Sequence, residues 1–263
     1  MTPEQFEAIK TWFDNYVTPF CDTDPEGARN IRLKIDHTAR VYDAMKFLAE
    51  GERLSPDERL TAAAIALLHD VGRFPQYRRW RTFRDSDSDN HARMSVDVIR
   101  EQLVLGQLDD GERLAIEEAV RFHNQLFLPP RLRSGSDRFL RMIRDADKID
   151  IWRVFLEYFS LPEGERASAT MLGLPDLPGV SVECLRQLEA QQVVRLDTVT
   201  RINDFKLLLL SWVYDLNFPA SFRLVIENCY IDRLQELLPV DGVAAGVEAV
   251  RSHAAARAGA FSP

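Results

Sequence analysis

The feature that most constrains the fold of this chain is the stretch at residues 62–74, AAAIALLHDVGRF. Ala63, Ala64, Ile65, Leu67 and Leu68 make it apolar nearly all round, a pattern that belongs to a helix enclosed on every side. The remaining chain must therefore be built around it. His69 and Asp70 close the segment, and a buried imidazole and carboxylate each need a partner, because unpaired polar groups in an apolar interior are costly. A metal ion would satisfy both at once. A His–Asp hydrogen bond closing the helix is the plainer alternative.

The flanking sequence supplies the covering helices. Residues 3–20 form an amphipathic helix through Phe6, Ile9, Phe13, Tyr16 and Val17, and the polar break CDTDPEG follows. A second helix spans about 30–50, with an inward stripe of His37, Val41, Ala44, Met45 and Leu48 at helical spacing. His37 thus lies among residues that offer it no hydrogen bond. Ser55, Pro56 and Glu58 form a helix start with a capping box, and Gly72 ends that helix. A long polar loop over 73–90 comes next, in which Arg78, Arg79, Arg81 and Arg84 interleave with Tyr77, Trp80 and Phe83. Such a cluster is either a solvated loop or a grip for phosphate and base. Asp89 or Asn90 caps a helix with His91 in its first turn, followed by Met94, Ser95, Val98 and Ile99. Asp109 or Asp110 caps another, with Ile116, Ala119, Val120 and His123 inward.

The prolines and glycine of FLPPRLRSGS break the pattern. From Ser136 or Asp137 a helix carries Leu140, Ile143, Asp147 and Ile151 on one face. At about 100° per residue, Asp147 points most squarely inward, Asp145 most squarely outward, and Asp150 lies about 60° from Asp147. After the Pro- and Gly-rich stretch LPEGERASATMLGLPDLPG, further helices are expected near 183–196, 203–214 and 221–238. The Ala- and Gly-rich tail from about 243 reads as a marginal helix that frays. There is no repeat and no strand alternation. The expected fold is all-α: a helical bundle over 1–160 with a carboxy-terminal helical extension over 161–263 packed on it.

Bulk properties narrow the function. A net charge of −8 argues against a chain built to coat nucleic acid or an anionic membrane. Cys21, Cys184 and Cys229 are odd in number and form no CxxC, so reduced thiols in a cytoplasm are the expectation. The amino terminus shows no apolar signal region, and the longest apolar run, at 207–214, is too short to span a bilayer.

Of five histidines, His37, His69, His91 and His123 recur along the first 150 residues, and His253 falls in the tail as a surface residue. With Asp70 and Asp147 they make a set of inward imidazoles and carboxylates that hydrogen bonds alone satisfy poorly. Mixed ligands of this kind suit Mn, Fe, Co, Ni or Zn, and Mg where more oxygen donors are present. Six protein ligands exceed what one catalytic ion with open positions takes. The count therefore hints at two divalent ions, with Asp70 as the bridge.

The spaced set H…HD…D, here His37, His69–Asp70 and Asp147, with LLHDVGRF and DADKID as its local stretches, resembles the HD superfamily of metal-dependent phosphohydrolases over about residues 30–155. The resemblance implies an all-helical domain with a first metal on His37, His69, Asp70 and Asp147. His91 and His123 match the extra histidines of binuclear members and would complete a second site that shares Asp70. Two departures stand out: Arg73 follows HDVG where binuclear members often have lysine, and His123 is followed by Asn124 where they often have a second histidine. The GYP-type signature of the cyclic-dinucleotide phosphodiesterases is absent.

The leading expectation is hydrolysis of a phosphate ester, in a nucleotide-like or related small phosphorylated metabolite, by a metal-bound hydroxide. Arg73 and Lys148, each close behind a ligand, are the candidates for neutralising the phosphate, beside Asp70 at the metal. Two alternatives stay open: a di-iron oxygenase of the same superfamily, and a non-catalytic nucleotide-binding module. Residues 161–263 carry no motif with a role, and Asp215 reads as structural. Those helices could form a lid or the interface of a homodimer.

Overall fold

Every described element is helical. The computed structural model describes residues 1–21, 24–133, 137–162, 165–170, 173–238 and 241–259, and no strand occurs among them. The expected cap Ser136 and parts of the loops near 134 and 171 lie outside the described residues. The chain divides into two compact units, residues 1–150 with 163–170, and residues 151–162 with 171–263.

In the first unit, α1 (Pro3–Val17) starts at a capping box of Thr2 and Gln5 and buries Phe6, Ile9, Phe13 and Val17. The second helix, α2 (Pro25–Gly51), begins five residues earlier than the stripe predicts. The DPEG of the supposed break is itself a start signal, with Asp24 accepting from Gly27 N and Pro25 in the first turn. The apolar helix α3 (Pro56–Leu68) opens at the expected Ser55–Glu58 capping box, and its residues from Thr61 to Leu68 are all buried. It packs against α1, α2 and α6.

Residues 73–90 are not the expected loop. Their first half is a helix, α4 (Arg73–Trp80), and a 3₁₀ turn follows at Asp85–Asp87. Its arginines cover aromatic rings: Arg78 lies 3.9 Å from the Phe20 ring centroid and donates to Pro19 O, while Arg81 pairs with Asp24. Arg79 stacks on Trp80, and Arg84 pairs with Asp87. The cluster is thus partnered within the fold. It has no apolar stripe for a periodicity search to find, because stacked guanidinium groups do the covering.

Gly72 also differs from expectation. It does not close α3; it is the residue before α4, with an ordinary φ of −67°. What requires glycine is proximity: a Cβ there would lie 2.5 Å from His91 O and Ser95 N and 2.8 Å from Met94 C. The turn after α3 is thereby seated on the first turn of α5 (His91–Glu101), which is capped by Asn90, and its N–H donates to Ser95 Oγ at 2.9 Å. Next, α6 (Asp110–Phe122) is capped by Asp109 and packs on α5 and α3. The long helix α7 (Asp137–Ser160) then carries DADKID.

The second unit contains α8 (Val182–Glu189), α9 (Ile202–Ser211), α10 (Pro219–Glu227), α11 (Tyr230–Glu236) and α12 (Ala244–Ala258), with α12 packed against the other four. Four expectations are corrected here. The helix near 183–196 stops at Glu189. The helix expected over 221–238 is two helices, broken at Cys229, which adopts a left-handed φ of 53°. The tail does not fray from 243: α12 buries Val247, Val250 and Ala254, so small residues serve as a packing face. His253 is half-buried against Tyr214 and Phe222 instead of lying on the surface. Asp215 ends a 3₁₀ turn after α9. The three cysteines are unpaired, and no described helix is long and apolar enough to cross a membrane.

Candidate metal centre

Three helix ends and two helix faces converge on one point in the first unit. His37 projects from the middle of α2. His69 and Asp70 occupy the turn after α3, held by His69 N to Ile65 O at 2.9 Å and Arg73 N to Asp70 O at 2.9 Å. His91 is the first residue of α5, His123 follows the last of α6, and Asp147 comes from α7. His37, His69, Asp70, His91 and His123 are all at most 5 % exposed.

Asp70 lies in the middle, with its two oxygens facing different partners. Its Oδ2 is 3.6 Å from His37 Nε2 and 3.8 Å from His69 Nε2. Its Oδ1 is 3.6 Å from His91 Nε2 and 3.9 Å from His123 Nε2. Asp147 Oδ1 joins the first pair, 3.1 Å from His37 Nε2 and 3.9 Å from His69 Nε2. Two groups of three, His37–His69–Asp70 and Asp70–His91–His123, each bring one donor atom per residue within 4.8 Å of the others.

The other nitrogen of each ring fixes what these atoms are. His69 Nδ1 lies 2.7 Å from Ala66 O, and His123 Nδ1 lies 2.7 Å from Val120 O. A carbonyl only accepts, so both Nδ1 atoms carry the proton. His37 Nδ1 donates to Asp150 Oδ2 at 2.7 Å, and His91 Nδ1 donates to Asp85 Oδ2 at 2.7 Å. Every Nε2 therefore turns a lone pair toward Asp70 unless its ring takes a second proton.

Burial holds His69, His91 and His123 below the ordinary imidazole range, the latter two at about 4. His37 is the exception: burial and Lys34 pull it down, yet its bonds to Asp147 and Asp150 outweigh them and leave it raised. A proton on His37 Nε2 can thus be shared with Asp147. Nothing equivalent serves the other pair. His91 Nε2 and His123 Nε2 face each other at 3.2 Å, both neutral at pH 7 and both acceptors. Beside them, Asp70 Oδ1 is buried without a hydrogen-bond partner.

A cation resolves all three orphans. With metal–ligand distances of about 2.0–2.2 Å, two donors on one ion lie roughly 3–3.5 Å apart, which matches the Nε2–Nε2 separations of 3.4 Å at His37–His69 and 3.2 Å at His91–His123. The donor set of neutral imidazoles and ionised carboxylates fits a divalent metal. The Nδ1 protons already given to Asp150, Asp85 and two carbonyls are the outer hydrogen bonds that orient metal-bound histidines. The carboxyls are held ionised despite burial. Asp70 is pulled down by Lys34 and its histidines, Asp147 by His37, and Asp85, at about 2, by His91 and Arg73.

Several residues stand where the sequence did not put them. Asp145, expected to point outward, is fully buried, because α7 is covered on that side too. Asp147, the member more open to solvent at 18 % of its side chain, reaches the Nε2 atoms of both His37 and His69. Asp150, 60° off the inward direction, is buried and bonds both His37 and Arg40. Of the two expected phosphate cations, Arg73 lies at the centre, its Nε 3.4 Å from Asp70 Oδ1. Its Nη1 is engaged by Gln76, Phe83 O and Asp85. Lys148 donates to the carbonyl of Arg144, one turn back on its own helix, at 3.4 Å. The lysine at the centre is Lys34, whose Nζ is 2.9 Å from Asp70 Oδ2. Lys34 sits one turn before His37 on the same face of α2, so spacing from a ligand could have found it. Asp85 carried no such signal.

No curated protein and no solved structure matches this chain. The family model of the HD domain matches residues 35–152, and HD domains bind divalent metal ions. That span runs from two residues before His37 to five after Asp147, so all six converging side chains fall within it. Over residues 35–152 the chain matches the HD domain, and in that span it is similar to the HD superfamily of metal-dependent hydrolases.

Proposed function

We propose that this protein is a metal-dependent phosphohydrolase that cleaves the phosphate ester of a nucleotide or related small metabolite. The observation that carries this reading is Asp70, a buried carboxylate with one oxygen toward each of two histidine pairs whose lone pairs face inward. In this reading His37, His69, Asp70 and Asp147 hold one divalent ion, and Asp70, His91 and His123 hold a second. Bound ions of this kind supply a nucleophilic hydroxide at neutral pH and neutralise charge on phosphoryl oxygens.

The chain's own residues do the rest. Asp85, Asp150 and two carbonyls accept from the four Nδ1 atoms and so aim each Nε2 at Asp70. Lys34 and Arg73 flank Asp70 with positive charge, and each has 14 % of its side chain exposed. A phosphate approaching the open, Asp147-side edge of the centre would meet these cations. In this reading Lys34, 2.9 Å from Asp70 Oδ2, joins Arg73 in neutralising the phosphate. The nucleotide-like character of the substrate is the part of the proposal that rests on the sequence alone.

Two flanking cations favour an anionic substrate over the oxygenase alternative, whose ligands would be the same. The test is metal-depleted protein reloaded with Mn, Co, Ni or Fe and assayed on a panel of phosphomonoesters and phosphodiesters. The proposal expects turnover with at least one metal. No hydrolysis, together with oxygen consumption by an iron pair, would replace it by the oxygenase. Binding of phosphorylated ligands without turnover would replace it by the binding module.

A further inference from the structure

The two ion positions rest on different outer carboxylates, and one of these joins α4, the first turn of α5 and the residue after His123. We propose that Asp85 is the positioning residue for the second ion, the one that Asp70 Oδ1, His91 and His123 would hold. The inference rests on the metal-centre reading above and extends it to a residue outside the ligand set.

Asp85 takes the Nδ1 proton of His91 with both oxygens, at 2.7 and 2.9 Å. The same carboxylate accepts from Arg73 Nη1 at 3.1 Å, Gln76 Nε2 at 2.9 Å and Asn124 Nδ2 at 3.2 Å. Arg73 and Gln76 belong to α4, His91 opens α5, and Asn124 is the neighbour of His123. One side chain therefore ties α4 to the two elements that carry His91 and His123.

Asp85 also restrains a competitor. Arg73 Nε is buried without a hydrogen bond, 3.4 Å from Asp70 Oδ1, the oxygen a second ion needs. The hold of Asp85, Gln76 and Phe83 O on Nη1 fixes the guanidinium short of a full pair with Asp70. Removing the Asp85 charge loosens that hold and leaves His91 without an anionic acceptor, and both changes oppose a cation at Oδ1. The first position is backed separately: His37 Nδ1 goes to Asp150, which Arg40 Nε also holds at 2.6 Å.

The test compares wild type, Asp85→Asn and Asp150→Asn, each stripped by chelator and titrated with Mn²⁺. Bound metal is counted by mass spectrometry, and the spin coupling of neighbouring ions is read by electron paramagnetic resonance. Wild type should bind two equivalents with a coupled spectrum. Asp85→Asn should keep one tight equivalent, weaken the other about 10- to 100-fold and lose the coupling. Asp150→Asn should weaken the tight equivalent instead, and Asp85→Glu should recover part of the second. If Asp85→Asn is not recovered folded by circular dichroism, Gln76→Ala serves, with a smaller loss at the second equivalent alone. Two coupled equivalents of wild-type affinity in these variants, or equal weakening of both ions, would overturn the proposal. A wild type that binds only one ion would overturn it and leave the hydrolase reading standing, whereas a wild type that binds none would overturn that reading itself.

Discussion

Replacing Gly72 by alanine should damage both the fold and the centre, through one contact. The backbone dihedral is open to any residue, so the cost is steric alone. The added methyl carbon would lie 2.5 Å from His91 O and Ser95 N, and both are main-chain atoms that no rotamer change can move. To restore even a tight Cβ contact of 3.0–3.4 Å, the first turn of α5 must retreat by roughly 0.5–0.9 Å. Overpacking of this kind costs about 2–3 kcal/mol. For a unit of this size that is a fall in Tm of about 5–10 °C. Because His91 is the residue displaced, the metal held beside it should weaken as well. Gly111→Ala is the control: its Cβ would meet only Asp109 Oδ1, at 3.3 Å, within a helix, and its effect should stay within about 0.5 kcal/mol. Thermal melts and metal analysis of both variants are the assay. A Gly72→Ala protein that melts with wild type and retains its full metal content would refute the reasoning, since the turn and α5 would then not be in contact.

Other outcomes follow from the same geometry. His69→Ala and Asp70→Ala should strip metal and abolish hydrolysis while the far-ultraviolet circular dichroism stays near wild type; a metal-replete, active variant would exclude the site. Asp145→Asn should destabilise the fold by about 1–3 kcal/mol, because it perturbs a buried, partnered carboxylate. Asp147→Asn should instead lose metal at little cost in Tm, and the two effects are separated by melts and metal counts. His91 and His123 have folded values near 4 against an ordinary 6.5. Their contribution to the metal-free protein is therefore complete above pH 6.5 and is lost as pH falls toward 4, where the unfolded chain binds protons that the folded chain refuses. His123→Gln should flatten the slope of stability against pH in that window by about 1.4 kcal/mol per unit, as read from denaturant melts in chelator. Lys34→Met should raise KM for a phosphate ester more than it lowers kcat, with unchanged metal content.

The sequence carried the converging set because its members lie on or beside periodic elements. His37 and His123 fell on apolar stripes, His91 followed a capping asparagine, and Asp147 came from helical phase. The partners of those residues were hidden for physical reasons. Phase told which way Asp145 and Asp150 point but not what covers them, and α7 is enclosed on more than one side. Asp85 belongs to a segment without periodicity, so nothing local marks it as the acceptor for His91. Helix α4 was missed because its buried face mixes the polar Gln76 with Phe74 and Tyr77 between arginines, and the break at Cys229 because no glycine or proline marks it. Those are tertiary facts, and local pattern does not encode them.

The central claim is that Asp70 bridges two cation positions. Crystals grown with Mn²⁺ and measured at its absorption edge test it most directly. The account predicts two anomalous peaks about 3.5–4 Å apart, one among His37, His69, Asp70 and Asp147 and the other among Asp70, His91 and His123. Metal-saturated crystals with no peak at coordinating distance from either oxygen of Asp70 would contradict it.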